Sequence, residues 1–414
     1  MMQKDPYASL RVPNFRFFLF AKIMVTVAIQ MQAVAVGWHL YELTHDPLSL
    51  GMIGLAEAIP AIGIALFAGH MADLYSRKKI VVVSFFTLCG CALCLSFLSL
   101  KSDAQAVNYR LFGLYMVVFI TGLARGFLFP SMFGLMSQCV PEDLYPNSSV
   151  WNSSLWHMAV VFGAALGGVL FVQIGKELTY LSAAVFCFFA VLSVAQVVVP
   201  PVAPAFQKPA MLDSLLGGLR FVFSQPIFLS AMALDLFAVM FGGAVAVLPI
   251  FADQILQCGA EGLGWLRAAP SAGAFFMAFV LAYYPPLRHT GKILFLSVAG
   301  FGFCMIFFAL STQVWLSFGI LFLSGVFDNV SVVVRSTIMQ MLTPHDMKGR
   351  VSSVHSIFVG SSNEIGAFES GVAAKYLGTV PSVVFGGVIT LLVVLVGYAT
   401  SPTLRKLHLR LKDE

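Results

Sequence analysis

Charge is what this sequence has least of. Asp, Glu, Lys and Arg make up 10% of its 414 residues, whereas a soluble domain carries about a quarter. With 59% hydrophobic residues and a mean hydropathy of +0.89, the chain has no polar surface to offer water, so lipid must be its solvent. Other absences narrow the field. No compact basic domain exists to hold nucleic acid. Neither Gly-x-Ser-x-Gly nor His-Glu-x-x-His occurs, nor a phosphate-cradling Walker loop. The chain is therefore not expected to be an enzyme, with a membrane-embedded enzyme kept only as a remote alternative, and direct ATP drive is unsupported. Cysteines number seven and mostly sit in apolar runs, where free Cys behaves as a small hydrophobe. Cys91 and Cys94 share a helix face but have no His or carboxylate beside them, and His39, His45 and His157 share no ligand spacing, so no metal and no cofactor is expected. No cleavable apolar leader is expected from the start, Met1 to Pro6, and the first span would then be its own insertion signal.

What is present is long apolar runs. A bilayer core of ~30 Å needs about 20 apolar residues per helix. Twelve runs meet that length, near residues 14–41, 48–73, 79–100, 109–138, 147–173, 178–199, 226–253, 262–285, 291–311, 314–341, 350–375 and 379–400. None alternates as barrel strands do. The fold class is an all-α membrane protein of 12 transmembrane helices. If both termini are cytoplasmic, sixteen of the 24 Lys and Arg fall on the cytoplasmic face and four on the other, the bias that orients membrane proteins. Residues 200–225, with Pro200, Pro201, Pro204 and Pro209, read as a cytoplasmic linker whose tail from Met211 could lie amphipathically on the membrane. It divides an N-terminal six-helix bundle, 1–199, from a C-terminal bundle and short tail, 226–414. The halves repeat: a shift of 203 carries Pro141 to Pro344, Asp143 to Asp346, Gly122 to Gly325, Ser149 to Ser352, Gly163 to Gly366 and Gly168 to Gly371, and one of 210 carries Pro60 to Pro270. Weak parallel symmetry of this kind is found in transporters.

Charges inside the spans are the next signal, since each costs ~2.5–3.5 kcal/mol on insertion scales. Lys22, Glu57, Arg125, Asp235, Asp328 and Glu364 fall near mid-depth, with Arg335 and Glu369 nearer the ends of the core. They serve either as structural ion pairs or in coupling. A carboxyl in a dry cavity resists ionisation and a nearby cation restores it, so a carboxylate whose surroundings change with access can take a proton on one side and release it on the other. Asp235 and Glu57 are the first candidates, Asp328 and Glu364 the next, with Lys22, Arg125 and Arg335 as charge partners. For an amphipathic substrate pocket the chain offers Gln30, Gln32, Trp151, Asn152, Trp156, His157, Asn329 and Asn363.

The turn Gly69-His70-Met71-Ala72-Asp73-Leu74-Tyr75-Ser76-Arg77-Lys78-Lys79 resembles the loop between helices 2 and 3 of the major facilitator superfamily, Gly-x-x-x-Asp-x-x-x-Arg-Arg/Lys. Gly69, Asp73, Arg77 and Lys78 match; Leu74 and Ser76 depart from the pattern. Gly163 to Gly168 resembles the Gly-Pro-x-x-Gly-Gly signature of superfamily antiporters, with Ala164 in place of Pro. Leu234-Asp235, Leu266-Arg267, Phe327-Asp328-Asn329 to Arg335, Gly349-Arg350 and Ser362-Asn363-Glu364 resemble the bacterial branch of enterobactin exporters and drug:proton antiporters. That resemblance implies the major facilitator fold, two parallel-repeat bundles with spans 1, 4, 7 and 10 lining a central cavity, and a cytoplasmic gate formed by Gly69, Asp73, Arg77, Lys78 and Arg350. It further implies a monomer in the bacterial inner membrane that exports a small siderophore-like or drug-like molecule against protons. An uncoupled facilitator or a lysolipid flippase of the same fold is the alternative.

Overall fold

The computed structural model describes residues 7–100, 107–198, 211–283, 289–343 and 348–407, and these are almost wholly helical. In lipid no water completes exposed backbone groups, so a helix, which satisfies its own, is the economical choice for an apolar chain. The helices are α1 (Pro13–Thr44), α2 (Pro47–Leu74), α3 (Arg77–Leu100), α4 (Val107–Cys139), α5 (Tyr145–Ala195), α6 (Met211–Ser224), α7 (Pro226–Gly242), α8 (Gly259–Tyr283), α9 (Thr290–Leu310), α10 (Val314–Leu342), α11 (Lys348–Leu377) and α12 (Thr379–Thr400).

Ten helices among the described residues are long and apolar enough to cross a membrane. Two differences from the expected spans reconcile that number with twelve. The runs expected at 147–173 and 178–199 are two helical legs on either side of a kink, counted together as α5. Its interior holds Gly175 at φ 81°, ψ 170°, a backbone region that only glycine enters without strain. Two legs therefore meet at a single residue. In the second half Gly378 has φ 91°, ψ 157° between α11 and α12, and Gly175 and Gly378 are again 203 positions apart. The other difference is α11, whose 30 residues include enough Ser, Asn and Glu to keep it out of the ten. The run expected at 226–253 is also divided. The helix α7 stops at Gly242, a 3-10 turn spans Val245–Val247 and a π-turn spans Phe251–Ile255.

Packing repeats between the halves. Helix α1 packs on α5 as α7 packs on α11, and α3 packs on α4 and α5 as α9 packs on α10 and α12. Each half has its own apolar core, around Phe15, Phe18, Phe85 and Ala190 in one and around Phe228, Leu294 and Val334 in the other. Large side chains such as Phe86, Phe97, Phe112, Phe307 and Leu395 are exposed, as side chains facing lipid tails are.

The chain forms two compact units: residues 1–45, 56–207 and 259–268, and residues 46–55, 208–258 and 269–414. Neither is a continuous stretch. Helix α2 begins in the second unit and ends in the first, and α8 does the reverse. Small residues account for both crossings. A Cβ on Gly51 would stand 2.9 Å from the Cα of Gly371, and one on Gly168 would stand 3.0 Å from the Cα of Gly264. Backbones that close hold together by packing alone in a solvent that offers no hydrophobic drive.

Candidate functional site

In the first unit the mid-span charges lie on α1, α2 and α4. Helix α4 touches α2 at Gly122, where any Cβ would strike the Glu57 carbonyl. Arg125, one turn further on, therefore meets the Glu57 carboxylate, and the two form an ion pair. Side-chain exposure is 41% for Arg125 and 16% for Glu57, so this pair is partly open. The Lys22 ammonium donates to Asn152 Oδ1 at 2.6 Å and has no carboxylate within ion-pair distance among the described residues. Gln32 Nε2 donates to Thr121 Oγ1 at 3.4 Å. Gln30 lies against Gly163, Trp151 against Tyr7 with ring centres 5.8 Å apart, and Trp156 edge-on to His157 at 4.8 Å. The Nδ1 of His157 is buried without a hydrogen-bond partner among the described residues.

In the second unit the charges lie on α7, α10 and α11. Asp235 and Arg335 form an ion pair with both side chains under 10% exposed. Arg335 Nε also donates to the Ser331 carbonyl at 3.2 Å. Asp328 lies two turns before Arg335 on α10, within electrostatic range of both members of the pair. Among the described residues the Asn329 Oδ1 and Ser331 Oγ atoms are buried without hydrogen-bond partners. Helix α7 breaks close by, and the Gly243 carbonyl freed by the break accepts a hydrogen bond from Ser370 Oγ of α11 at 2.6 Å. On α11, Glu364 is half-buried with its backbone beside Gly54 of α2. Asn363 is exposed and donates to the Val359 carbonyl at 2.8 Å.

The turn between α2 and α3 is held by its cations. Arg77 Nη1 donates to the Gly134 carbonyl at 3.1 Å and Lys78 to the Ala195 carbonyl at 2.7 Å, so both fasten α3 within the first unit. Gly69 lies in the last turns of α2. The side chains of Asp73 and Arg350 lie outside the described residues.

Sequence reasoning passed over several partners. Asp46 accepts from the Ser49 backbone N–H at 3.3 Å, capping the start of α2, and also pairs with Lys375 at 3.4 Å. Its position between His45 and Pro47, ahead of an apolar run, was the available signal for the cap but not for the pairing. Trp38 Nε1 donates to Glu42 at 2.8 Å, His39 meets the buried Tyr180 hydroxyl at 3.3 Å, and Arg267 of α8 donates to the Ala33 carbonyl at 3.4 Å. Among the described residues no group of three or more His, Cys, Asp or Glu side chains could hold a metal ion.

Known proteins resemble this chain over nearly its whole length. The enterobactin exporter EntS of Shigella flexneri is 25% identical over 358 residues, covering 86% of this chain and 83% of that protein. The crystal structure of a POT family transporter in complex with a thioalcohol-conjugated peptide superposes with a TM-score of 0.75 at 13% identity, over 95% of this chain and 96% of that one. A bacterial homologue of the human lysosomal transporter Spinster, in an inward-facing and unoccupied conformation, gives 0.73 at 13% identity, over 97% and 98%. Both structures share the fold. The family model described as transmembrane secretion effector matches residues 4–408, and with that match the chain belongs to this family of major facilitator transporters.

Proposed function

We propose that this protein is a proton-coupled exporter of a small amphipathic molecule that works by alternating access in the bacterial inner membrane, with both termini cytoplasmic. The observation that carries the reading is the arrangement of Asp235, Asp328 and Arg335. Asp235 is paired with Arg335 and Asp328 lies two turns before that arginine on α10, so two carboxylates and one guanidinium stand inside the spans and one negative charge is in surplus. Such a charge is expensive, and a proton removes it. A change of access alters both the hydration and the distance to Arg335, the two quantities that decide whether the proton stays. Glu57 with Arg125 is the pair of the first unit, one carboxylate against one guanidinium.

The small-residue contacts support the alternating part. Gly51 on Gly371 and Gly168 on Gly264 join segments from opposite halves of the sequence, so these are the contacts that must part and re-form in a transport cycle. Gly69, Asp73, Arg77, Lys78 and Arg350 are assigned the opposite, cytoplasmic gate. Siderophore-like or drug-like cargo fits the likeness to EntS, a protein named for enterobactin export. The working unit is assigned as a monomer.

Inverted membrane vesicles with imposed pH gradients of both signs test this reading against a panel of siderophore-like and drug-like compounds. Wild type is expected to accumulate cargo only when the lumen is acid, and Asp235→Asn to fall to background while still reaching the membrane. Undiminished uptake after the gradient is collapsed would instead identify an uncoupled facilitator.

A further inference from the structure

Lys22 carries a charge that the proposed coupling does not use. It sits roughly 13 Å into α1 at 1.5 Å per residue. Its one bond among the described residues goes to the neutral Asn152 amide. An ammonium has three donors, so two are left over. The other deep cations are differently placed: Arg125 and Arg335 each have a carboxylate, and Arg267 donates to a backbone carbonyl. A charge kept in a span without a counter-ion costs ~2.5–3.5 kcal/mol on insertion scales, which a structural role with Asn152 alone does not return. One turn along α5 from Asn152, at the i+4 position of the same helix face, stands Trp156, 42% exposed.

We infer that Lys22, Asn152 and Trp156 form a cargo subsite for an oxyanion attached to an apolar or aromatic body. The ammonium takes the carboxylate or another anionic oxygen group, Asn152 holds the ammonium in place, and the indole packs against the body. The inference rests on the transporter reading above and adds the substrate class: the cargo is an organic acid. The charge balance agrees, since the surplus cation lies in the first unit and the surplus carboxylate in the second, so acid and proton have separate places.

Binding to the purified full-length protein tests this without requiring transport. The probes are dansylglycine, which carries a carboxylate, and dansylglycinamide, which is neutral and otherwise alike; energy transfer from tryptophan reports both. Wild type is expected to bind the acid more tightly than the amide. Lys22→Gln should weaken the acid on the order of ten-fold or more, the worth of a charge-assisted hydrogen bond, and leave the amide within about two-fold. Lys22→Arg should restore preference for the acid, and Trp156→Ala should weaken both probes together. Equal affinity of wild type for the two probes, equal loss of both in Lys22→Gln, or no saturable binding of the acid would each overturn the inference. None of these outcomes bears on gradient-driven uptake, so failure here leaves the coupled-export reading to its own test.

Discussion

The two mid-span ion pairs, Glu57–Arg125 and Asp235–Arg335, each join a carboxylate to an arginine on corresponding helices, α4 and α10, yet they differ in which helix brings the acid, in exposure and in company. Arg125 is 41% exposed at its side chain and Arg335 only 5%. The first pair has a spare cation in its unit, Lys22, while the second has a spare carboxylate, Asp328. A shift of 203 places Arg125 on Asp328, so one position of the repeat has opposite signs in the two halves. The same shift relates Gly122 to Gly325 and Gly175 to Gly378, and these keep both identity and role. Gly122 admits α2 and Gly325 admits α8 at Pro270, and the second pair shares an unusual backbone geometry. Scaffold is thus duplicated faithfully and charge is not. Positions where a duplicated protein departs from itself in charge are where its halves do different chemistry.

Removing one arginine from each pair separates the two. Arg335→Ala leaves Asp235 buried beside Asp328 with no cation. Breaking a buried pair from one side costs about 3–5 kcal/mol, enough to consume much of the stability of a membrane domain. Arg125→Ala leaves Glu57 with a side chain 16% exposed, against 8% for Asp235, so the loss should be smaller. Thermal unfolding of purified variants, followed by loss of the monodisperse chromatographic peak, should show a larger drop for the first. Equal drops would mean that exposure does not distinguish the two sites.

The glycines make the opposite prediction, because there the halves agree. Gly122→Ala would drive a methyl into the Glu57 carbonyl, and Gly325→Ala would drive one into the Pro270 carbonyl. Overpacking of this kind costs about 1–3 kcal/mol. Both variants should lose stability to a similar degree in the same unfolding assay. A harmless alanine at only one of them would break the claim that scaffold is conserved across the repeat.

Much of this was legible in the sequence. Long apolar runs give spans directly, because a helix in lipid needs only length and hydrophobicity, and the offset of 203 gives the repeat. What charges meet was less legible. Nothing in the spacing of residues 57 and 125 says that Gly122 will bring α4 against α2, nor does the text around Asp235 name Arg335, a hundred positions away. Contacts between distant segments depend on which backbones approach, and glycine marks an approach without naming the partner. The break at Gly175 was also readable, since its repeat mate Gly378 lies between two apolar runs. Gln173, Lys176 and Glu177 flank Gly175, and polar residues between two apolar runs mark the turn.

The smallest effect is expected where the sequence was most silent. Asp46 and Lys375 pair at 3.4 Å with side chains 31% and 41% exposed, so water and salt screen them and their contribution to stability is about 0–1 kcal/mol. Asp46→Asn keeps an acceptor that can still cap α2 and removes only the attraction to Lys375. Its unfolding midpoint should scarcely move. Yet the pair joins the start of α2 to the end of α11, one turn from the contact of Gly51 with Gly371, which is proposed to part during transport. A bias of even ~0.5 kcal/mol changes a two-state ratio about two-fold. Cysteine labelling at Ser49 in Asp46→Asn, compared with the same reporter on the native background, should therefore rise about two-fold at low salt and converge at high salt. A change in midpoint without a change in labelling would make the pair structural, and would leave the buried charges alone to distinguish the two halves.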